Sequence, residues 1–193
     1  KNICPFLDIA YQGFGESLRE DGLVLKKFAD SGIHFLVANS FSKSFSLYGE
    51  RVGGLSVVTA NEHEKITVLS RLKKIVRANY SNPPTHGAKI VSTVLSSKEL
   101  FDMWEIELRQ MRDRIRSMRE ILADNIRRIN KSLDFSHIVE QRGMFSYTGL
   151  TKEQVVKMRE NHSVYAIETG RICVAALNSK NVNRVASAIS EVY

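Results

Sequence analysis

The sequence predicts an α/β domain followed by a smaller α+β unit, with one long helix between them. Its first part alternates predicted strands and helices and places polar residues where strands end, which is typical of α/β domains. Its middle carries one apolar stripe with helical spacing, and its last part has short β candidates between capped helices. We expect the domains at residues 1–100 and 101–193, with the linking helix at about 98–131.

The first elements alternate between strand and helix. Residues 2–10 predict a short strand, and a loop with two glycines follows it. A helix is expected from about residue 19 to residue 29. Residues 33–38 predict a buried strand that ends at polar residues, and residues 53–59 predict another strand. The side chains expected to be buried on the helix are Leu23, Leu25 and Phe28.

Four side chains follow or end the first two predicted strands, namely Asp8, Tyr11, Ser40 and Lys43. Ligands of α/β sheets bind beyond the carboxyl ends of the strands. If these two strands are parallel, the four side chains share one functional edge of the sheet.

Lys43 has an unusual neighbourhood, because no charged residue lies near it from Ile33 to Leu47. A desolvated lysine loses its proton more easily and becomes an amine nucleophile. From this segment alone, a lysine on a serine-rich surface loop is the simpler interpretation.

Capping residues mark the helices of the middle region. Asn61 and Glu64 predict a helix start, and the helix should run to about residue 79. Pro83 and Pro84 end it, and residues 86–95 predict a shorter helix. The side chains expected to face inward on the first of these helices are Ile66, Leu69, Leu72 and Val76.

The linking helix is predicted by a capping box at residues 96–99 and by an apolar stripe at spacings of four and three. A coiled-coil seam would show the same stripe, so a helix that packs on two domains and a coiled coil both remain open. The members of the stripe are Leu100, Trp104, Leu108, Met111, Ile115, Met118, Leu122, Ile126 and Ile129.

The last part of the chain alternates short β candidates with helices. The β candidates are residues 135–140, 144–147, 164–167 and 172–176. A capping box at Thr151 begins a helix to about residue 161, and a final helix spans residues 179–192.

Composition narrows the class of protein. No apolar run approaches the ~20 residues that span a bilayer. The two cysteines are far apart in the sequence, which favours a reducing cytoplasm. The histidines are scattered, without the spacing of metal ligands, so we expect no metal site. The net charge of +7 lies mostly on residues 65–77 and 109–128, without a nucleic-acid-binding motif. We therefore expect neither nucleic acid nor a membrane as partner, but anionic small molecules.

Five segments together resemble the class I aspartate and aromatic-amino-acid aminotransferases, which are pyridoxal-phosphate enzymes of fold type I. The sequence of residues 45–54 is most similar to that of the bacterial aromatic-amino-acid (tyrosine) aminotransferases. The segments are P-F-L-D-I-A-Y-Q-G-F-G at 5–15, N-S-F-S-K-S-F-S-L-Y-G-E-R-V-G-G at 39–54, N-Y-S-N-P-P at 79–84, R-G-M-F-S-Y-T-G-L at 142–150 and T-G-R-I-C-V-A-A-L-N at 169–178.

This resemblance implies a fold and an assembly. Residues 1–100 would be the C-terminal part of the large, mostly parallel cofactor-binding domain, and residues 101–193 the small domain. The family's N-terminal phosphate loop has no counterpart here, so we expect this chain to be the C-terminal half of a subunit and to be inactive alone. The family also implies a homodimer with shared active sites.

The resemblance assigns cofactor roles. Lys43 would form the Schiff base with pyridoxal phosphate and then carry the proton from the substrate Cα. Asp8 would pair with the ring nitrogen, and an acid between Leu7 and Ile9 is expected to need a buried partner, although a cap is the alternative. The remaining cofactor-binding residues implied by the family are Tyr11 at the 3′ oxygen and Ser40 and Arg51 at the phosphate.

The resemblance also assigns substrate-binding roles. Arg171 would clamp the substrate α-carboxylate, and Phe145 would close over the site. Arg77 would reach from the neighbouring subunit to bind the side-chain carboxylate of a substrate, with Ser81 as a weaker neighbour, although a cation on a basic helix face explains Arg77 as well.

The predicted activity is transfer of an amino group between an aromatic or dicarboxylic L-amino acid and a 2-oxo acid such as 2-oxoglutarate. The alternatives are an aspartate aminotransferase proper, a non-catalytic sensor domain that binds pyridoxal phosphate, and an α/β domain whose lysine has no role.

Overall fold

The computed structural model describes residues 3–193. The chain divides into two compact units. The first comprises the chain up to Gly13 together with Ser17–Leu108, and the second comprises Phe14–Glu16 together with Arg109–Tyr193.

A mixed three-stranded sheet forms the centre of the first unit. β1 and β2 are parallel, with Asp8 opposite Ala38, whereas β2 and β3 are antiparallel, with Ser40 opposite Gly53. The carboxyl ends of β1 and β2 and the start of β3 therefore lie at the same edge of the sheet. The strands, in their order across the sheet, are β1 (Phe6–Ile9), β2 (Phe35–Ser40) and β3 (Gly53–Val58).

The helix expected at residues 19–29 is interrupted at Gly22, which caps both α1 and α2. The prediction of a buried side chain is wrong for Leu23, which is exposed, whereas Leu25 and Phe28 are half-buried. The interruption follows from glycine's low helix propensity. The helices of the first unit are α1 (Leu18–Asp21), α2 (Leu23–Asp30), α3 (Glu62–Tyr80), α4 (His86–Ser96) and the start of α5 (Lys98–Ile129).

Helix α3 begins as predicted, because the Asn61 side chain accepts a hydrogen bond from Glu64 N at 2.9 Å. Its apolar face, however, is not buried. Ile66 is 60% exposed and Leu69 is 47% exposed, and the expected inward packing is wrong for both. Spacing determines which face of a helix is apolar, whereas burial requires a covering surface, which residues 3–193 do not supply.

The second unit is built around the C-terminal part of α5. The middle of the predicted stripe is buried, with Ile115, Leu122 and Ile126 at most 2% exposed, whereas Ile129 at its end is half exposed. The other core side chains of this unit include Val155 and Met158 on α7 and Ala186 and Ile189 on α8. The other elements of this unit are α6 (Ser136–Val139), β4 (Phe145–Tyr147), α7 (Lys152–His162), β5 (Arg171–Cys173) and α8 (Val182–Val192).

The predicted capping box is present at the start of α7, where the Thr151 and Gln154 side chains each accept a hydrogen bond from the other residue's backbone. β4 lies within the predicted segment and pairs antiparallel with β5, with Phe145 opposite Cys173 and Tyr147 opposite Arg171. This two-stranded sheet carries Phe145 and Arg171, two of the predicted substrate residues.

Two β candidates are wrong. Residues 135–140 contain helix α6, because Asp134 Oδ1 accepts a hydrogen bond from Ser136 N at 2.9 Å and starts a turn there. Residues 164–167 form no strand, since Gly170 N donates to Ile167 O and closes a tight turn. The strand expected at residues 172–176 ends at Cys173, and a short 3-10 helix follows.

Candidate active site

The sheet edge of the first unit brings Lys43 and Tyr11 together. Ile9 and Asn39 form the last residue pair between β1 and β2, and the backbone leaves the sheet after Ile9 in β1 and after Ser40 in β2. Lys43 Nζ lies over the Tyr11 ring, 4.7 Å from its centroid, which is a cation–π contact. The primary amine is therefore half-buried beyond the carboxyl ends of two parallel strands, which is where α/β sheets commonly bind ligands.

The turn that carries Lys43 is fixed on both sides. Ser42 and Ser44 are buried, at 5% and 8% exposure, and Ser46 N donates to Lys43 O at 3.1 Å. The indole Nε1 of Trp104 donates to Ser44 O at 2.7 Å, and the Trp104 ring stacks on Phe45 at 4.5 Å. These contacts fix the backbone next to Lys43, whose side chain extends to Tyr11.

Ser40 and Arg51 lie at the same edge, because β3 starts where β2 ends. The two backbones approach so closely that a Cβ on Gly53 would lie 2.4 Å from Asn39 O. Arg51 has left-handed backbone angles, and its Nη1 donates to Tyr48 O at 2.9 Å. A guanidinium has five N–H groups in a planar fork, so this exposed side chain has further donors for an anion.

Asp8 lies on the exposed face of β1. Side chains alternate along β1, and Asp8 shares an exposed face with Phe6, which is 63% exposed. Leu7 and Ile9 on the other face are half-buried. No element within residues 3–193 covers the face that carries Asp8, and its pairing with a ring nitrogen stays a prediction.

The second unit presents Arg171 against an aromatic ring. The Arg171 guanidinium carbon lies 4.9 Å from the centroid of the Phe145 ring. Both side chains line a cleft of about 290 Å³, together with Tyr165, Ile167 and Cys173. An arginine fork on an aromatic surface is well suited to bidentate binding of a carboxylate.

The start of β5 is positioned by a buried hydroxyl. Thr148 donates to Gly170 O through both its backbone nitrogen, at 3.0 Å, and its Oγ1, at 2.7 Å. Gly170 has a φ of +83°, and a Cβ there would lie 2.7 Å from Leu150 O. Only glycine fits this position without strain, and it directs the next residue, Arg171, into the strand.

The acidic residue nearest to Arg171 in sequence is engaged elsewhere. Glu168 pairs with Lys152 at 2.9 Å, and the hydrogen bond from Lys152 holds the pKa of Glu168 below its ordinary value. Within residues 3–193 Arg171 forms no ion pair, and its side chain is exposed to the cleft. The arginine therefore has its charge available for an added anion.

Arg77 and Ser81 are brought to each other at the end of α3. Arg77 Nη1 donates to Ser81 Oγ at 2.5 Å, and Ser81 has a φ of +70°. Arg77 also lines an open groove of about 590 Å³ with Ile66, Leu69 and two lysines. In the described part of the chain, neither residue hydrogen-bonds to the side chains at the Lys43 edge.

Sequence reasoning missed two residues that support the site. Trp104 was identified only as a member of the apolar stripe, and its indole bond to Ser44 O had no signal in the sequence. Arg119 is 3% exposed and hydrogen-bonds to the strand that carries Phe145. Its signal was present, because Arg119 lies four residues after Ile115 and three before Leu122, both on the buried face of α5.

Residues 1–189 match the model of a protein family described as aminotransferase class I and II. The chain belongs to this family. The resemblance found in the five segments is thereby confirmed, and it covers nearly the whole chain.

The relatives of this chain include aspartate aminotransferases and aromatic-amino-acid aminotransferases. The aspartate aminotransferase of Pseudomonas aeruginosa is 54% identical over 192 residues, which are 100% of this chain and 48% of that protein. The aromatic-amino-acid aminotransferase of Escherichia coli is 48% identical over the same shares. The chain spans about half the length of the curated relatives it matches.

Solved structures agree with the fold. The structure of the aromatic-amino-acid aminotransferase of Burkholderia pseudomallei, covalently bound to pyridoxal phosphate, is similar to this chain with a TM-score of 0.96 and 56% identity. The match covers 98% of this chain and 47% of that chain. A mitochondrial aspartate aminotransferase of Trypanosoma brucei matches with a TM-score of 0.96 and 42% identity, over 98% of this chain and 50% of that chain. The predicted α/β fold class of the fold type I aminotransferases is confirmed.

Proposed function

We propose that this aminotransferase chain carries the catalytic lysine of a pyridoxal-phosphate-dependent transaminase. The enzyme transfers an amino group between an aromatic or dicarboxylic L-amino acid and a 2-oxo acid such as 2-oxoglutarate. The observation that carries this proposal is the Lys43 amine, held over the Tyr11 ring at the sheet edge that also bears Ser40 and Arg51.

The residues at this edge fit the cofactor by their chemistry. Ser40 and Arg51 supply a hydroxyl and a guanidinium for a phosphate, and Lys43 supplies an amine for an aldehyde. Asp8 supplies an exposed carboxylate for a protonated ring nitrogen, and Tyr11 supplies a phenol for the ring's 3′ oxygen. When bound, pyridoxal phosphate supplies an aldehyde that condenses with amines and a ring that accepts an electron pair.

Lys43 has two tasks in this proposal. Its amine would hold the cofactor covalently until a substrate amine takes its place. As a free amine, Nζ would accept the proton from the substrate Cα as a general base. The turn held by Trp104 and by Ser42 and Ser44 keeps Nζ within a narrow region, which favours a productive approach to that proton.

Arg171 orients the substrate. Its fork binds the α-carboxylate through two parallel hydrogen bonds, and the Phe145 ring limits the positions that the guanidinium can adopt. Because Lys152 pairs with Glu168, the neighbouring carboxylate does not compete with the substrate for Arg171.

Arg77 is our candidate for binding the distal carboxylate of dicarboxylic substrates. Its support is the positive charge of the α3 groove and the fact that relatives of this chain include aspartate and aromatic-amino-acid aminotransferases. We place Arg77 in the active site of a second subunit of a homodimer, as the family resemblance implies. A cytoplasmic location is part of the same proposal, since both cysteines are free thiols.

The full native polypeptide tests this function directly. Purified with pyridoxal phosphate, it should transfer the amino group of tyrosine or aspartate to 2-oxoglutarate, and the Lys43→Ala variant should lose turnover while remaining folded. Cofactor binding without transfer from any amino acid would instead support a sensor domain. Transfer at the wild-type rate by Lys43→Ala would refute the proposal.

A further inference from the structure

Arg119 is a buried arginine in the second unit, and its guanidinium donates hydrogen bonds to three residues of the segment 143–146. Its Nε donates to Ser146 Oγ at 2.9 Å, and its Nη2 donates to Phe145 O at 3.1 Å. The same Nη2 also donates to Gly143 O. The side chain thus spans from α5 to residues 143–146.

The acceptors of Arg119 are all neutral. Among residues 3–193 it forms no ion pair, and burial holds the pKa of Arg119 below its ordinary value. A buried cation is costly unless its hydrogen bonds are satisfied, and here two carbonyls and a hydroxyl satisfy them. The planar fork matches this set of acceptors, whereas a lysine ammonium would not span it.

The segment that Arg119 binds carries Phe145, whose ring lies against Arg171. Gly143 turns the chain with a φ of +84°, and β4 begins two residues later. Arg119 therefore bonds to the backbone carbonyl of Phe145 itself, while the Phe145 ring lies 4.9 Å from the Arg171 guanidinium carbon.

A second tie holds the preceding residue of the same segment. Glu16 accepts hydrogen bonds from Arg142 and from Arg116, which lies on α5 one turn before Arg119. Residues 142–146 are thus anchored to one helix twice, through Glu16 and directly through Arg119. Such double anchoring favours one conformation of the segment.

We propose that Arg119 is a positioning residue for carboxylate binding. By fixing residues 143–146, it sets the Phe145 ring and, through that ring, the orientation of the Arg171 fork. This inference rests on the proposed function of Arg171 as the binder of the substrate carboxylate.

The test compares Arg119→Lys with Arg114→Lys in the full native polypeptide with its cofactor. Arg114 is a matched control on the same helix, since it also donates to two backbone carbonyls, Leu177 O at 2.7 Å and Ala175 O at 2.8 Å. The measured quantities are the KM for the amino acid, the Kd for succinate as an unreactive carboxylate, the thermal midpoint, and cofactor attachment at Lys43.

Arg119→Lys should raise the KM and the succinate Kd by about ten-fold, because misplacement of a binding group by a fraction of an ångström is costly. Cofactor attachment should be unchanged. Arg114→Lys should lower the thermal midpoint without a comparable change in KM or Kd. Equal effects of the two variants on KM and Kd, or no effect of Arg119→Lys, would overturn the inference.

Two further variants keep the inference testable if Arg119→Lys fails to fold. Ser146→Ala removes one acceptor and should raise KM by about two- to three-fold. Phe145→Leu should raise KM, and in combination with Ser146→Ala the two effects should be less than additive, because both act through one ring. Full additivity would indicate separate roles and contradict the inference.

The same data separate this inference from the proposed function. If the wild type transfers amino groups and Arg171→Leu raises KM and Kd, the proposed function stands whatever Arg119→Lys shows. If Arg171→Leu leaves both constants unchanged, the proposed role of Arg171 is wrong and the role of Arg119 falls with it.

Discussion

The ammonium of Lys43 lies over the face of the Tyr11 ring, 4.7 Å from the ring centroid. The two residues are 32 positions apart in sequence (43 minus 11), and the parallel pairing of β1 with β2 brings them together. The contact places an amine and a phenol at one edge of the sheet, which is the arrangement the proposed function requires.

Tyr11→Phe and Tyr11→Ala separate the ring from its hydroxyl. The phenylalanine variant keeps the cation–π contact and should hold the Lys43 amine as before, whereas the alanine variant removes a contact worth about 0.5–1 kcal/mol. Titration of the full polypeptide with pyridoxal phosphate should show a cofactor affinity that falls more for Tyr11→Ala than for Tyr11→Phe. Equal affinities for the two variants would mean that the ring face has no part in positioning Lys43.

Gly170→Ala and Gly149→Ala form a matched pair. Both glycines have left-handed φ values, +83° and +81°, but only at Gly170 does a Cβ meet backbone, at 2.7 Å from Leu150 O. We expect Gly149→Ala to cost about 1–2 kcal/mol of unfolding free energy from the backbone angle alone. Gly170→Ala should cost more and should also weaken carboxylate binding by Arg171. Urea denaturation of the two variants measures the difference, and equal losses would contradict the close contact.

Glu16 predicts a pH dependence of stability. Hydrogen bonds from Arg142 and then from Arg116 hold the pKa of Glu16 below its ordinary value. A carboxylate with a depressed pKa in the folded state stabilises the fold above its unfolded pKa, and this stabilisation is lost as the pH falls through the folded pKa. Wild type should therefore exceed Glu16→Gln in thermal midpoint at neutral pH and lose that advantage in acid.

Both partners of Glu16 are partly exposed, so the difference at neutral pH should be small and should shrink in high salt. Glu160→Gln is a suitable control, because Glu160 is an exposed acid on α7. A midpoint difference for Glu16→Gln that stays constant from neutral to acidic pH would show that the ion pairs do not carry the effect.

Arg77→Leu should affect dicarboxylic substrates more than aromatic ones. If Arg77 binds the distal carboxylate, kcat/KM for aspartate should fall by about ten-fold or more, while kcat/KM for tyrosine changes little. Arg71→Leu is the control, since Arg71 is exposed on the same helix but does not line the groove. Equal losses for the two substrates would reject the assigned role.

A mixing experiment tests whether Arg77 acts across subunits. Neither Lys43→Ala nor Arg77→Leu homodimers should use aspartate well. Hybrids of the two variants should regain activity, because one of the two shared sites then contains both native residues. Hybrids without recovered activity would place Arg77 and Lys43 in the same subunit's site or outside the site altogether.

Local pattern was sufficient for much of the fold. Alternation and polar strand ends predicted β1 and β2, and the Thr151 capping box marks the start of α7. The stripe on α5 identified Ile115, Leu122 and Ile126, which form the core of the second unit.

The errors arose where long-range or turn geometry decides the structure. Ile66 is exposed because burial depends on covering surfaces, which spacing does not specify. A bond from Ser136 N to Asp134 starts a helix where β-branched and aromatic residues suggested a strand. Arg119 was overlooked because a cation on a helix is ordinarily solvated, although its position between Ile115 and Leu122 places it on the buried face.

The central claim is that Lys43 is the residue that binds the cofactor covalently. The most direct measurement is borohydride reduction of the full polypeptide with pyridoxal phosphate, followed by mass spectrometry of its peptides. Attachment at Lys43 in wild type, together with its loss when tyrosine or aspartate is added before reduction, is the predicted result. Attachment at another lysine, or attachment at Lys43 that no amino acid displaces, would contradict the account.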